Sequence, residues 1–237
     1  MTITLITGGN KGLGYETARR LIAEGHEVYL GARNRERGQR AADELGAHFI
    51  ELDVTDDASV AAAADELTRQ AGRLDVLVNN AGVAPLKQVA DLTGPDARQV
   101  FNTNVFSIVR MTHAFLPLLE KSTAPVIVNV SSCLGSFAVM HDPARLEATV
   151  PGALYQASKS AVNMLSVQYA RQLPNIRINV VDPGYTATDL NDHGRLGAGT
   201  NSIQTVTEAT DAIVAMATIG ADGPTGTFTD RHGALAW

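Results

Sequence analysis

Cysteine is nearly absent from this chain. Cys133 is the single one in 237 residues, so an intrachain disulfide and a cysteine-built metal site are both excluded. A reducing, cytoplasmic location is the expectation. Cations are also in short supply. The net charge of −6 gives neither nucleic acid nor an anionic membrane a global electrostatic pull. No apolar run approaches the roughly 20 residues that span a bilayer. No basic stretch followed by an apolar one opens the chain, so no secretory leader is expected. The six histidines include no pair at metal-ligand spacing, and no metal is expected. Repeats, low-complexity tracts and linkers are missing too, so residues 1–237 are expected to form one domain.

What the chain does have is alternation. Strand-like runs at Ile3–Ile6, Val28–Leu30, His48–Leu52, Asp75–Val78, Pro125–Val130 and Arg177–Val181 are separated by helix-like stretches. Those helices are predicted at Tyr15–Glu24, Glu36–Leu45, Asp57–Gln70, Ala97–Leu119 and Ala153–Leu173, with a late one at Glu208–Ala217. A last strand is expected at Thr225–Thr229. Several strands are continuous apolar runs, as when both sheet faces are covered. The pattern predicts an α/β fold, a Rossmann-like doubly wound parallel sheet with helices on both faces. Right-handed crossovers place the strand C-termini along one edge. The polar, glycine-rich stretch Asn191–Thr200 reads as a mobile loop, a candidate lid, within a substrate loop of about 188–206.

The first crossover, Thr7-Gly8-Gly9-Asn10-Lys11-Gly12-Leu13-Gly14, carries glycines spaced Gly-x-x-x-Gly-x-Gly. Glycines let a backbone approach phosphates, and a helix N-terminus offers free N–H groups. A ligand-free strand–turn–helix corner is the other reading. After the second strand, an acid would bind the ribose 2′-hydroxyl of NAD, whereas a base would pair with the 2′-phosphate of NADP. This chain has Arg33 there, with Lys11 nearby, which points to NADP(H). Two solvated surface charges would look the same.

Tyr155 and Lys159 are four apart on a predicted helix and share a face. A neighbouring ammonium and an oxidised nicotinamide would favour phenolate and make Tyr155 a usable acid/base. Many ordinary helices carry a tyrosine and a lysine at this spacing. Cys133 has no activating neighbour in the sequence and reads as structural.

Taken together, these segments resemble the short-chain dehydrogenase/reductase family, over roughly residues 5 to 190. The glycine loop looks like the family's nucleotide loop, with Gly8, Asn10, Lys11, Gly12, Leu13 and Gly14 as cofactor contacts. Leu52-Asp53-Val54 resembles the segment that holds the adenine, which implies roles for Asp53 and Val54. Asn79-Asn80-Ala81-Gly82 matches the family's Asn-Asn-Ala-Gly, implying cofactor contacts at Asn80, Ala81 and Gly82. Asp182-Pro183-Gly184-Tyr185-Thr186-Ala187-Thr188 resembles the nicotinamide loop, implicating Pro183, Gly184, Thr186 and Thr188. The resemblance makes Ser132, rather than Ser131, the catalytic serine. It makes Asn104 the asparagine that holds a proton-relay water, and it gives Tyr155 and Lys159 both catalytic and cofactor roles.

The implied activity is reversible, NADPH-dependent reduction of a ketone or aldehyde to an alcohol, with a small carbonyl or alcohol as partner. Alternatives are an NAD-linked alcohol dehydrogenase of the same family, or a sensor of NADP(H) without turnover. The stretch between Ser132 and Tyr155 is long for the family, with an insertion at about 135–151. That feature, the opening Gly-Gly-Asn-Lys-Gly and the tail Thr225–Phe228 with Trp237 resemble the carbonyl reductase subgroup. Its members can be monomeric, so both a monomer and a homo-oligomer stay open.

Overall fold

Eight strands form one sheet in the order β3-β2-β1-β4-β5-β6-β7-β8. These are β1 (Thr2–Thr7), β2 (His26–Ala32), β3 (His48–Glu51), β4 (Val76–Asn79), β5 (Val126–Val130), β6 (Arg177–Val181), β7 (Phe228–Asp230) and β8 (Gly233–Ala234). All neighbours run parallel except the last pair, β7 and β8. The computed structural model describes residues 1–85, 87–188, 190 and 203–237. Most of the expected substrate loop, Asn191–Thr200 included, lies outside the described residues.

The alternation of side chains along each strand builds two apolar layers. Leu5, Leu77, Ile127 and Ile178 pack on one face against Leu67, Met111, Phe115 and Leu119. Those partners come from α3 (Asp57–Gln70) and α5 (Ser107–Leu119), and α7 (Ala153–Gln172) adds Ala170. Ile6, Leu30, Val78 and Val128 pack on the other face against Leu21, Ala42 and Ile213. Those come from α1 (Gly12–Ala23), α2 (Arg35–Leu45) and α9 (Asp211–Ala217). The predicted doubly wound sheet is the observed one. Its strand order reverses at β1, so a crevice opens between β1 and β4 at the C-terminal edge.

Several boundaries differ from the pattern. The first helix begins at Gly12 rather than Tyr15, because the glycine turn closes directly into helical backbone. The expected helix from Ala97 is three segments. α4 (Gly94–Phe101) starts on a Thr93–Asp96 capping box, a π-helical turn covers Asn102–Phe106, and α5 follows. The late helix divides into α8 (Val206–Ala209), with its own capping box, and α9. The insertion after Ser132 folds into short helical turns, with α6 (Phe137–Met140) between two 3₁₀ turns, Cys133–Gly135 and Leu146–Thr149. The antiparallel β8 has no sequence signal. No described helix is long and apolar enough to cross a membrane.

Candidate active site

The glycine turn after β1 is built for close approach. Gly8 and Gly12 hold φ of +65° and +55°, the left-handed region that favours glycine. A Cβ on Gly14 would stand 2.6 Å from the Gly8 carbonyl oxygen and 2.7 Å from Asn80 Nδ2. Lys11 occupies the N-cap of α1 without a side-chain capping bond, and no acid stands in the first turn. The leading N–H groups and the positive dipole end are thus arranged as in an anion site, and the cradle fits a pyrophosphate. Asn80 braces it, donating from Nδ2 to the carbonyls of Thr7 (2.9 Å) and Gly8 (3.3 Å). The main-chain N–H groups of Asn80 and Ala81 each donate to Thr7 Oγ1 at 3.0 Å.

Cations gather beside this cradle. Gly9 N–H donates to Gly31 O at 3.1 Å, which fastens the loop to the end of β2, just before Arg33. Arg33 is exposed and makes no ion pair among the described residues. Its charge reaches Asp53, whose carboxyl burial would raise but two bonds from Thr55 hold below the ordinary value. A cavity of about 170 Å³ next to the loop is lined by Asn10, Lys11, Tyr15, Arg37, Arg40, Ala41 and Glu44. Arg40 is paired with Glu36 at 3.1 Å, whereas the Arg37 guanidinium has no ion pair among the described residues. Sequence reasoning missed Arg37. The signal was its place four residues past Arg33, on the first turn of α2, where it lines that cavity together with Lys11.

The second cluster lies along the C-terminal ends of β5 and β6. Ser132 ends the extended chain after β5, is 9% exposed, and accepts from Leu134 N–H at 3.2 Å. Ser131 turns the other way. Its Oγ donates to Asn163 Oδ1 at 2.6 Å and to Lys159 O at 3.3 Å. A Cβ on Gly135 would meet the α7 backbone at 2.5 Å from the Lys159 carbonyl carbon, so the turn after Ser132 seats directly on the helix that bears Tyr155. Asn163 Nδ2 and Ser160 Oγ also bond Gly135 O, at 3.3 and 2.9 Å. These supporting contacts join distant segments and leave no local pattern.

Lys159 is buried. Its ammonium donates to Val130 O at 2.8 Å and lies 5.5 Å from the centre of the Tyr155 ring. Burial lowers it to about 8, against the pull of Asp182. Burial, and then the Asp182 charge, hold the Tyr155 phenol above its ordinary range, while Ser132 acts the other way. In the protein alone burial, not the lysine, sets the direction at Tyr155. Burial also pushes the Cys133 thiol up, which leaves it unactivated.

Asn104 sits in the π-helical turn. Its Nδ2 donates to Val83 O and Ser158 Oγ, both at 2.9 Å, and its Oδ1 accepts from Val83 N–H at 2.9 Å. A Cβ on Gly82 would lie 3.5 Å from Asn104 Oδ1 and 3.9 Å from Lys159 Nζ, so the three positions converge. After β6, Gly184 takes φ of +73° and its N–H donates to Asp182 Oδ1 at 3.0 Å. Pro183 is half-buried and Thr186 is buried, its Oγ1 donating to Gly184 O at 3.2 Å. Thr188 reaches the glycine loop, its Cγ2 standing 3.8 Å from where a Gly12 Cβ would be. Leu13 is half-buried in the first turn of α1, and Val54 is buried beside Asp53. The cradle and its cations thus lie at the C-terminal ends of β1 and β2, and Ser132, Tyr155 and Lys159 beside those of β5 and β6.

The family model for short chain dehydrogenases matches residues 2–198. The chain belongs to the short-chain dehydrogenases. A (-)-isopiperitenone reductase of Mentha piperita is 32% identical, with 98% of this chain and 97% of the relative covered. A cyclopentanol dehydrogenase of Comamonas sp. is 37% identical over 79% of this chain and 74% of its own. The NADPH-bound carbonyl reductase from chicken fatty liver superposes with a TM-score of 0.85 at 26% identity, covering 100% of both chains. As a short-chain dehydrogenase the protein is an oxidoreductase of CH–OH and C=O groups that uses a nicotinamide cofactor. Among its described residues, no group of three or more His, Cys, Asp or Glu side chains is placed to hold a metal.

Proposed function

We propose that this short-chain dehydrogenase is an NADP(H)-dependent carbonyl reductase, with residues 1–237 acting as one catalytic unit. One observation carries the reading: the turn after Ser132 seats directly on α7, where the buried Lys159 ammonium lies 5.5 Å from the centre of the Tyr155 ring, in the crevice that begins at the cation-flanked glycine cradle.

When bound, the cofactor supplies the hydride. Gly8, Asn10, Gly12, Leu13 and Gly14 hold its pyrophosphate, and Lys11, Arg33 and Arg37 pair with the 2′-phosphate. Asp53, Val54, Asn80, Ala81 and Gly82 border the adenosine side, and Pro183, Gly184, Thr186 and Thr188 the nicotinamide side. Ser132 Oγ–H donates to the substrate carbonyl oxygen, where charge builds up. Tyr155, which burial holds in its protonated form, gives its phenolic proton to that oxygen. Lys159 orients the phenol and draws on solvent for the next proton. Both side-chain donors of Asn104 are spent on Val83 and Ser158, so a relay water would be held through its main chain.

The test is a fluorescence titration with NADPH and NADH, followed by a carbonyl screen with the tighter cofactor. NADPH should bind at least tenfold more tightly, since each lost phosphate contact costs roughly 1.5–3 kcal/mol. Tyr155→Phe should keep that affinity and lose turnover. Equal affinity for NADH would overturn the cofactor assignment, and a fully active Tyr155→Phe would overturn the mechanism.

A further inference from the structure

Polar side chains dock α7 on the end of β5. Tyr155, Lys159 and Asn163 are spaced i, i+4 and i+8, so they form one ridge of the helix. Two members of the ridge bond successive residues of the strand end. Lys159 donates to Val130 O at 2.8 Å, and Asn163 Oδ1 accepts from Ser131 Oγ at 2.6 Å. Three residues further on, Ser166 Oγ accepts from Asn129 Nδ2 at 2.8 Å. Asn129, Ser131, Asn163 and Ser166 are all buried, where an unpaired amide or hydroxyl is costly.

Asn163 does more than pair with the strand. Its Nδ2 donates to Gly135 O at 3.3 Å, and Ser160 Oγ donates to the same carbonyl at 2.9 Å. Ser131 and Gly135 stand on either side of Ser132, at the start and the end of its turn. Within that turn Gly135 N–H donates to Ser132 O at 2.9 Å, and Leu134 N–H to Ser132 Oγ at 3.2 Å. One side chain on the Tyr155 helix therefore holds the chain both where it enters the turn and where it leaves. The missing side chain at Gly135 permits this seat, since a Cβ there would stand 2.7 Å from Ser160 N as well.

We propose that Asn163 is a positioning residue, which sets where the Ser132 hydroxyl stands relative to Tyr155 by holding Ser131 and Gly135 to α7. The inference rests on the carbonyl-reductase reading for the work that Ser132 and Tyr155 do. A donor stabilises a developing oxyanion only within about 2.7–3.1 Å of the oxygen, and a misplacement of about 1 Å can cost on the order of a hundredfold in rate. Ser132 follows a strand and Tyr155 sits on a helix, so the two need a common reference. Asn163 supplies it from about two helical turns past Tyr155. An amide suits the post, because it accepts from the Ser131 hydroxyl with one atom and donates to the Gly135 carbonyl with the other.

The experiment has two arms, both on the full-length protein. The first is amide hydrogen exchange followed by NMR. The Gly135 and Ser136 N–H groups donate to Ser132 O and Cys133 O, so they report on the turn. In Asn163→Ala they should exchange at least about tenfold faster, while Ile127 and Val128 in β5 change much less. Ser166→Ala is the control. It removes the Asn129 partner on the same helix and strand but touches neither end of the turn, so Gly135 should be accelerated no more than β5. The second arm is NADPH-linked carbonyl reduction. Asn163→Ala should lower kcat about tenfold in the wild-type background and less than about twofold in Ser132→Ala, where no hydroxyl is left to misplace. Ser131→Ala deletes only the donor to Asn163 Oδ1, and it should give smaller effects in the same direction if Asn163→Ala does not fold. Uniform acceleration across the turn and β5 would overturn the proposal. So would equal kcat losses in the two backgrounds, because a merely structural residue adds its loss to that of Ser132→Ala. If the wild type reduces no carbonyl, the functional reading fails on its own, and the exchange pattern still decides whether Asn163 holds the Ser132 turn.

Discussion

Gly14 shows what a single missing methyl group does. Its backbone approaches Gly8 so closely that an added Cβ would meet a carbonyl oxygen at 2.6 Å and the Gly9 Cα at 3.0 Å, both main-chain atoms that cannot rotate away. Gly14→Ala must therefore push α1 off the loop. The expected cost is roughly 1–3 kcal/mol, the usual range for overpacking. NADPH affinity should fall with it, because the helix N-terminus is displaced from the cradle. Thermal melting and a fluorescence titration check the two effects, and a variant with wild-type values for both would refute the close approach. Gly14 was legible in the sequence, since glycine spacing after a strand carries its own physical reason. Arg37 and Asp182 were less so. A basic residue in a polar helix and an aspartate before Pro-Gly look like solvated charges until the fold places one in a cavity with Lys11 and buries the other.

At the scale of elements, the π-helical turn is the feature the pattern hid. The apolar period through residues 97–119 suggests one continuous helix, but Val100 and Val105 are both buried and stand five apart. In a regular α-helix a five-residue step points the second side chain well away from the first. A π turn absorbs the extra residue and returns both to the core, and such turns recur at functional sites. The same turn carries Asn104 inward, to Val83 and Ser158, and Ser158 Oγ in turn donates to Tyr155 O at 2.6 Å. Asn104→Ala would leave the N–H and carbonyl of Val83 without their side-chain partner. Each unsatisfied buried group costs about 1–3 kcal/mol, so a loss of at least about 2 kcal/mol is expected in urea unfolding. Turnover should fall further than NADPH affinity, because the bond lost is the one that reaches the Tyr155 helix. An unchanged unfolding midpoint would mean that these bonds contribute nothing net. Strand–helix alternation and most element positions were readable because the apolar runs encode them directly. The turn was not, because it is set by what the helix packs against.

For the molecule as a whole, sheet order followed from the alternation, since parallel strands need crossovers and crossovers have one hand. What had no sequence signal was the return of the far end of the chain to the catalytic edge. β8 is two residues long, and past it Ser136 Oγ donates to Ala236 O at 2.8 Å and Ala138 N–H to Trp237 O at 3.2 Å. The Trp237 ring stacks on Phe228, with centroids 5.4 Å apart and an angle of 28°. Phe228 is fully buried in β7, so the stack anchors the segment around Trp237 to the sheet. That segment in turn holds Ser136 to Ala138, which lead directly out of the turn that follows Ser132. Trp237→Ala should remove the aromatic pair, worth about 0.5–1.5 kcal/mol, and loosen that stretch without unfolding the protein. The cofactor cradle lies at the ends of β1 and β2, across the sheet, so NADPH affinity should hold. The KM for carbonyl substrates should rise severalfold in the same variant, as the wall beside Ser132 loses its support. A parallel loss of NADPH affinity would mean instead that the two ends of the crevice are mechanically one unit, and that the region around Trp237 supports the whole sheet edge rather than the substrate side alone.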